Sequence, residues 1–164
     1  MAKRDYRKFL IAGVLIVAVY LIATNRSAPS ELSTVGYTQV QTVAGISNNS
    51  GVVVLTGGCY QVVGNTDSWI ADAIMKGQDG KVDTRPSIYD VTKDMMNGFG
   101  MKVLMVKVVD VRDNTFIGRL IVQQGNRIVS LDSRPSDATA IAVRTNAPVY
   151  MRDDILLQHG QKVC

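Results

Sequence analysis

The sequence predicts an α+β domain, a mixed β-sheet packed with a few short helices, preceded by a single N-terminal transmembrane helix. Three observations carry that expectation. Runs with strand periodicity come first, helical-period segments mixed with hairpins follow, and no repeat of solenoid length appears. Ahead of all of them, Phe9 to Ala23 is an uninterrupted apolar run of 15 residues behind a basic octet.

This run divides the chain into a basic cytoplasmic N-terminus (1–8), a transmembrane anchor (9–25), a linker (26–35) and a domain (36–164). A spanning helix needs about 20 apolar residues, which Thr24 and Asn25 at one end and snorkelling Arg7 and Lys8 at the other help to complete. The alternative is a cleaved secretory signal, whose apolar region has about 7 to 15 residues and ends at small residues. The length and the lack of a clean Ala-x-Ala site favour the anchor. Four basic residues precede the run and only Arg26 closely follows it. The positive-inside rule then gives a single-pass protein of the cell membrane, with its N-terminus cytoplasmic and its domain extracytoplasmic. Asn25-Arg26-Ser27 and Asn48-Asn49-Ser50 are sequons that matter only on that side. There, Cys59 and Cys164 either pair, pinning the chain end to the Gly57-Gly58-Cys59 turn, or stand as two unrelated thiols.

After the polar linker, Tyr37 to Val43 alternates as a strand and Asn48 to Gly51 turns. Val52 to Leu55 and Tyr60 to Val63 make a hairpin across Thr56 to Cys59. Thr66 to Lys76 places Trp69, Ile70, Ala73 and Ile74 at helical spacing. A second helix starts near Arg85-Pro86-Ser87 and carries Ile88, Val91, Met95 and Met96 on an apolar face. Lys102 to Val111 and Thr115 to Gln123 are strands joined by Arg112-Asp113-Asn114, and Gly125-Asn126 turns into the strand Arg127 to Leu131. A last helix follows, with Ser133 as its cap, Pro135 in its first turn, Ala138, Ile141 and Ala142 on its buried stripe and Arg144 in its last turn. Asn146 takes the left-handed stop and Pro148 blocks continuation. This unit gathers Asp132, Arg134, Ser136 and Asp137 at one helix N-terminus, whose free N–H groups attract anions.

Charge bounds the function. Residues 1–26 hold five of the 18 basic residues and one of the 14 acids, leaving 13 of each in the remainder. The domain is formally neutral, so the basic pI is no sign of a nucleic-acid surface. Gly-rich phosphate loops, Cys-x-x-Cys and His-x-x-x-His pairs and a Ser-His-Asp set are all missing. The lone His159 reads as a solvated tail residue, which disfavours zinc chemistry and histidine acid–base catalysis. Carboxylates remain.

The stretch Asp132-Ser133-Arg134-Pro135-Ser136-Asp137-Ala138, continuing to Arg144-Thr145-Asn146-Ala147-Pro148, closely resembles the signature of the bifunctional nuclease domain family. Asp113-Asn114-Thr115-Phe116 with Arg119-Leu120, and Arg85-Pro86-Ser87-Ile88-Tyr89-Asp90, match two further family motifs in the right order, and Val63-Gly64 with Asp67 matches a third more weakly. Together they cover roughly Val52 to Leu157. The resemblance implies metal-dependent hydrolysis of DNA or RNA phosphodiesters. It makes Asp132, Arg134, Asp137 and Asp90 catalytic and Arg85, Arg134 and Ser136 substrate-binding. It also implies Mg2+ or Mn2+ on Asp67, Asp113, Asp132 and Asp137. Two positions depart from the pattern: Tyr89 stands where the family has His, removing the best acid–base candidate, and Asp67 replaces Glu.

Two functions from different classes follow. One is a membrane-anchored nuclease of DNA or RNA. The other is a non-catalytic accessory or scaffolding subunit that uses a nuclease-like fold to dock onto membrane-complex subunits or onto copies of itself. Single carboxylates also have purely structural readings: Asp137 as the i, i+3 partner of Arg134, Asp113-Asn114 as turn chemistry and Asp90 as a helix-start residue.

Overall fold

Alternating apolar and polar residues draw eight strands into one sheet. They are β1 (Tyr37–Ser47), β2 (Ser50–Gly57), β3 (Tyr60–Asp67), β4 (Met101–Arg112), β5 (Thr115–Gln124), β6 (Arg127–Ser133), β7 (Val149–Arg152) and β8 (Gln161–Lys162), in the spatial order β6-β5-β4-β7-β1-β2-β3-β8. Neighbours run antiparallel except β4 and β7, which pair in parallel. The sheet is thus mixed, as expected. The computed structural model describes residues 30–164, and Thr34–Cys164 form one unit. The expected anchor at 9–25, the N-terminus before it and the start of the linker lie outside the described residues. Among the described residues no helix is long and apolar enough to cross a membrane.

Four helices accompany the sheet: α1 (Ser68–Gln78), α2 (Ile88–Gly98), α3 (Pro135–Thr145) and α4 (Asp153–His159). The parallel pair requires a crossover, and α3 supplies it, carrying the chain from the outer strand β6 back over β5 and β4 to β7. Val40, Leu55, Val106, Leu120 and Met151 from the sheet pack with Ile70 and Ile74 of α1 and Ala138 and Ala142 of α3. Each large apolar side chain buried this way contributes roughly 1.5–3 kcal/mol.

Two glycines let backbones approach closely. A Cβ on Gly118 would lie 2.8 Å from the Ser133 carbonyl oxygen and 3.0 Å from the Pro135 nitrogen, so β5 can accept the corner where β6 turns into α3. A Cβ on Gly77 would lie 2.6 Å from Val143 Cγ2 and 2.7 Å from Arg144 Nη1, so α1 leaves room for the Arg144 side chain. Asn146 ends α3 in the left-handed conformation at φ 54°.

Several local expectations are corrected. Ser133 does not cap α3: it is the last residue of β6, its buried hydroxyl has no partner, and Arg134 takes the cap position without a side-chain cap bond. The core-facing side of α2 is Tyr89, Asp90 and Met96, whereas Ile88, Val91 and Met95 are exposed. Trp69 also faces solvent, at 55% exposure. The chain end is not a free tail: α4 and β8 fold it back onto β3, Val163 N–H donates to the Cys59 carbonyl, and a disulfide joins Cys59 to Cys164.

That disulfide spans 105 residues of sequence. Because a long closed loop removes much denatured-state entropy, Cys164→Ser is expected to lower unfolding free energy by roughly 2–4 kcal/mol, measured by guanidinium denaturation. A loss below about 0.5 kcal/mol would show that the link adds nothing to the packing of α4 and β8.

Candidate functional site

Helix starts converge at one point of this fold. Asp67 ends β3 and occupies the cap position of α1, yet its carboxylate makes no cap bond; Asp67 Oδ2 instead accepts from Arg134 Nη1 at 3.4 Å. Arg134 holds the cap position of α3, and its Nε donates to Asp137 Oδ2, one turn into that helix, at 2.7 Å. From the first turn of α2, the Tyr89 hydroxyl donates to Asp137 Oδ1 at 2.5 Å. The N-termini of α1 and α3 therefore meet around one guanidinium, with no side-chain cap bond at either cap residue, and their dipoles add positive potential there.

Behind these groups lies a buried ion pair. Arg144 Nε donates to Asp90 Oδ1 at 2.6 Å, with side-chain exposures of 4% and 7%. Arg144 Nη1 also donates to the carbonyls of Ala73 in α1 and Ala140 in α3. Asp90 accepts from the Ser87 backbone N–H and closes a capping box at the start of α2. Burial by itself would raise the Asp90 carboxyl, but hydrogen bonds from Arg144 and Ser87 outweigh it and hold it down to about 2. The Arg144 guanidinium also lies 5.7 Å from the Tyr89 ring centroid.

Tyr89 is tuned in the opposite sense. Burial, and then the hydrogen bond to Asp137, push its phenol well above the usual range. It stays protonated and serves Asp137 as a donor. Asp137 in turn pushes Arg134 further toward its protonated form through a hydrogen bond and through charge. On the outer side, the Trp69 ring stacks on Tyr89 at 6.1 Å between centroids and 17° between planes.

Asp67, Arg134 and Ser136 stand on the lining of a groove of about 620 Å³. The buried core side chains Val53, Leu55, Val62, Val108 and Met151 form its floor, and its open lining mixes polar and apolar surface, with Asn114, Thr115, Phe116 and His159 on the far wall. His159, read from sequence as a solvated tail residue, sets its ring edge-on to Phe116 at 5.8 Å, because α4 and the disulfide-held tail bring it there. Thr139 of α3 also lines the groove, and its fully buried hydroxyl has no partner.

The described chain resembles known proteins in a way that bears on this geometry. The bifunctional nuclease domain model matches residues 64–163, which include every side chain of the Tyr89–Asp137–Arg134–Asp67 cluster. The chain belongs to the bifunctional nuclease domain family. An uncharacterised Mycobacterium tuberculosis protein is 34% identical over 90 residues, covering 55% of this chain and 53% of that one. Bifunctional nuclease 1 of Oryza sativa subsp. indica is 35% identical and its Arabidopsis thaliana namesake 34%, each over 82 residues, or 48% of this chain and 25% of the relative. The chain thus spans about half the length of the mycobacterial relative it matches and a quarter of the plant ones.

Within this bifunctional nuclease domain, Arg134, Asp137, Ser136 and Asp67 lie together, and other expected site residues lie apart. Asp90 is buried in the Arg144 pair, so it supports the helices and does not face the groove. Asp132 pairs in register with Arg119, and its carboxylate lies 3.4 Å from Arg119 Nη1. Strand residues alternate between faces, so with Leu120 packed into the core beside Ala138, Asp132 projects from the face opposite α3 and Asp137. Asp113 sits with positive φ at the tip of the β4–β5 turn, and Arg85 is exposed on the loop before α2, outside the groove lining. Accordingly, Asp67, Asp113, Asp132 and Asp137 are not gathered, and among the described residues no group of three or more His, Cys, Asp or Glu is placed to hold a metal ion.

The Asp90 shift sets a pH dependence. Its folded carboxyl lies below the ordinary 3.8, so its contribution is complete above about pH 4 and is lost as pH falls toward 2. That contribution amounts to roughly 2 kcal/mol. Urea unfolding between pH 7 and pH 2.5 is expected to show this loss in the wild type and a flatter slope in Asp90→Asn. Equal acid slopes would contradict the pairing.

Proposed function

We propose that the domain is a nucleic-acid phosphodiesterase in which Arg134 grips the scissile phosphate where the α1 and α3 N-termini meet. The observation that carries this reading is the Arg134 guanidinium itself. It is more than half exposed at the groove, aimed by Asp137 and within 3.4 Å of Asp67. A phosphate arriving there would compete with Asp67 for the planar fork and find helix N–H groups beside it. Asp67, freed and exposed, accepts the proton of the attacking water. Arg134 offsets the charge growing on the phosphoryl oxygens, and the leaving oxygen takes its proton from solvent. Tyr89 fixes Asp137 so that Asp137 orients Arg134.

Among the described residues the Mg2+ or Mn2+ expected from the sequence finds no group of three or more donors, since Arg134 lies between Asp67 and Asp137 and Asp132 faces the other side of the sheet. The basic octet and the apolar run from Phe9 to Ala23 support a tether to the cell membrane, with the domain extracytoplasmic. The scaffolding reading is favoured by one feature, the exposed stripe of Ile88, Val91, Met95 and Phe99 on and just after α2.

The test is cleavage of single-stranded and duplex DNA and RNA by the full chain in Mg2+, Mn2+ or EDTA. Arg134→Met is expected to cut at least about 100-fold more slowly, and Tyr89→Phe to lose part of the rate, with unchanged circular dichroism. A folded wild type that cuts none of these substrates would leave the scaffolding reading.

A further inference from the structure

We infer that the groove beside Arg134 is a nucleobase pocket: one unpaired nucleotide turns its base onto Phe116 and His159 over the apolar floor while its phosphate rests at Arg134. The placement of that phosphate rests on the nuclease reading above; the pocket has its own support. A groove of about 620 Å³ has the size of a small-ligand site. The apolar share of the lining suits the face of a base and offers nothing to a charged sugar-phosphate chain. Phe116 and His159 give that face two rings on one wall.

The Thr139 hydroxyl is the second, independent sign. A helical threonine ordinarily donates to a carbonyl one turn back, and the chain does this at Thr145, whose Oγ1 donates to the Ile141 carbonyl at 3.1 Å, and at Thr92, whose Oγ1 donates to the Ile88 carbonyl at 2.7 Å. Thr139 makes no such bond although it is fully buried on the groove lining. A hydroxyl both donates and accepts, so the edge of any base can satisfy it once a small shift of the side chains over it uncovers it. The amides of Asn65 and Asn114 stand on the same lining and add further donors and acceptors. A base stacked inside a duplex cannot reach this floor. Unpaired strands, loops and frayed ends are therefore the form of nucleic acid that fits.

The test is calorimetric binding of adenosine 5′-monophosphate and of ribose 5-phosphate to the full chain, run beside the cleavage assay. The nucleotide is expected to bind about 10-fold or more tightly than the sugar phosphate, the advantage of one stacked base. Phe116→Leu and Thr139→Val should each erase most of that advantage and leave ribose 5-phosphate unchanged, whereas Arg134→Met should weaken both ligands. Thr139→Val removes an unpartnered buried hydroxyl at nearly constant volume, so its melting temperature should not fall, which separates lost recognition from lost folding. Equal binding of the two ligands, no binding of either, or equal weakening of both by Phe116→Leu and Thr139→Val would overturn the pocket. If nucleic acid is not cut while the nucleotide keeps its advantage, the nuclease reading fails and the pocket stands. If Arg134-dependent cutting occurs without that advantage, the pocket fails and the nuclease stands.

Discussion

The Arg144–Asp90 pair is the contact on which the helical layer depends. Arg144 is nearly inaccessible, and from the last turn of α3 it reaches a carboxylate of α2 and a carbonyl of α1. A buried ion pair of this kind is weak evidence for net stability, because desolvating both charges offsets most of their attraction. Its value is directional. Removing either partner leaves a buried charge unpaired, so the three helices hold their relative positions only while both are present. Gly77 contributes by its missing side chain, since a Cβ there would strike Arg144.

From that pair a chain of contacts runs outward to the groove. Arg144 lies against the Tyr89 ring, the Tyr89 hydroxyl holds Asp137, Asp137 holds Arg134, and Arg134 reaches Asp67. The links draw on the starts of all three helices and on the last turn of α3, so the position of the exposed guanidinium is fixed by the packing of the layer and not by its own flexible stem. Tyr89 is a phenol that stays protonated, so it orients the Asp137 carboxylate by donating to it.

Much of the fold was legible in local pattern. The alternation in β2 to β6, Pro135 at the start of α3 and the left-handed Asn146 at its end all follow from backbone preferences that act within a few residues. The pairing of Arg134 with Asp137 was legible for the same reason, as an i, i+3 spacing. What escaped was decided by contacts distant in sequence. Asp90 and Arg144 lie 54 residues apart, and nothing local marks them as partners. Asp132 lies two residues from Arg134, yet β6 has not ended there, and the pleat turns its side chain to the other face of the sheet. The apolar spacing of Ile88, Val91 and Met95 was real, but Tyr89 and Asp90 are bound to α3, which turns that stripe toward solvent. His159 could not be placed from sequence because the fold of α4 and the Cys59–Cys164 link bring it to the groove.

The most direct measurement of the site is a crystal structure of the protein with a phosphorothioate dinucleotide, whose phosphate resists cleavage. The phosphate is expected within hydrogen-bond distance of the Arg134 fork and of the first N–H groups of α3, with Asp67 displaced from the guanidinium. A phosphate bound elsewhere, with the Arg134–Asp67 contact intact, would contradict that assignment and return the cluster to a purely structural role.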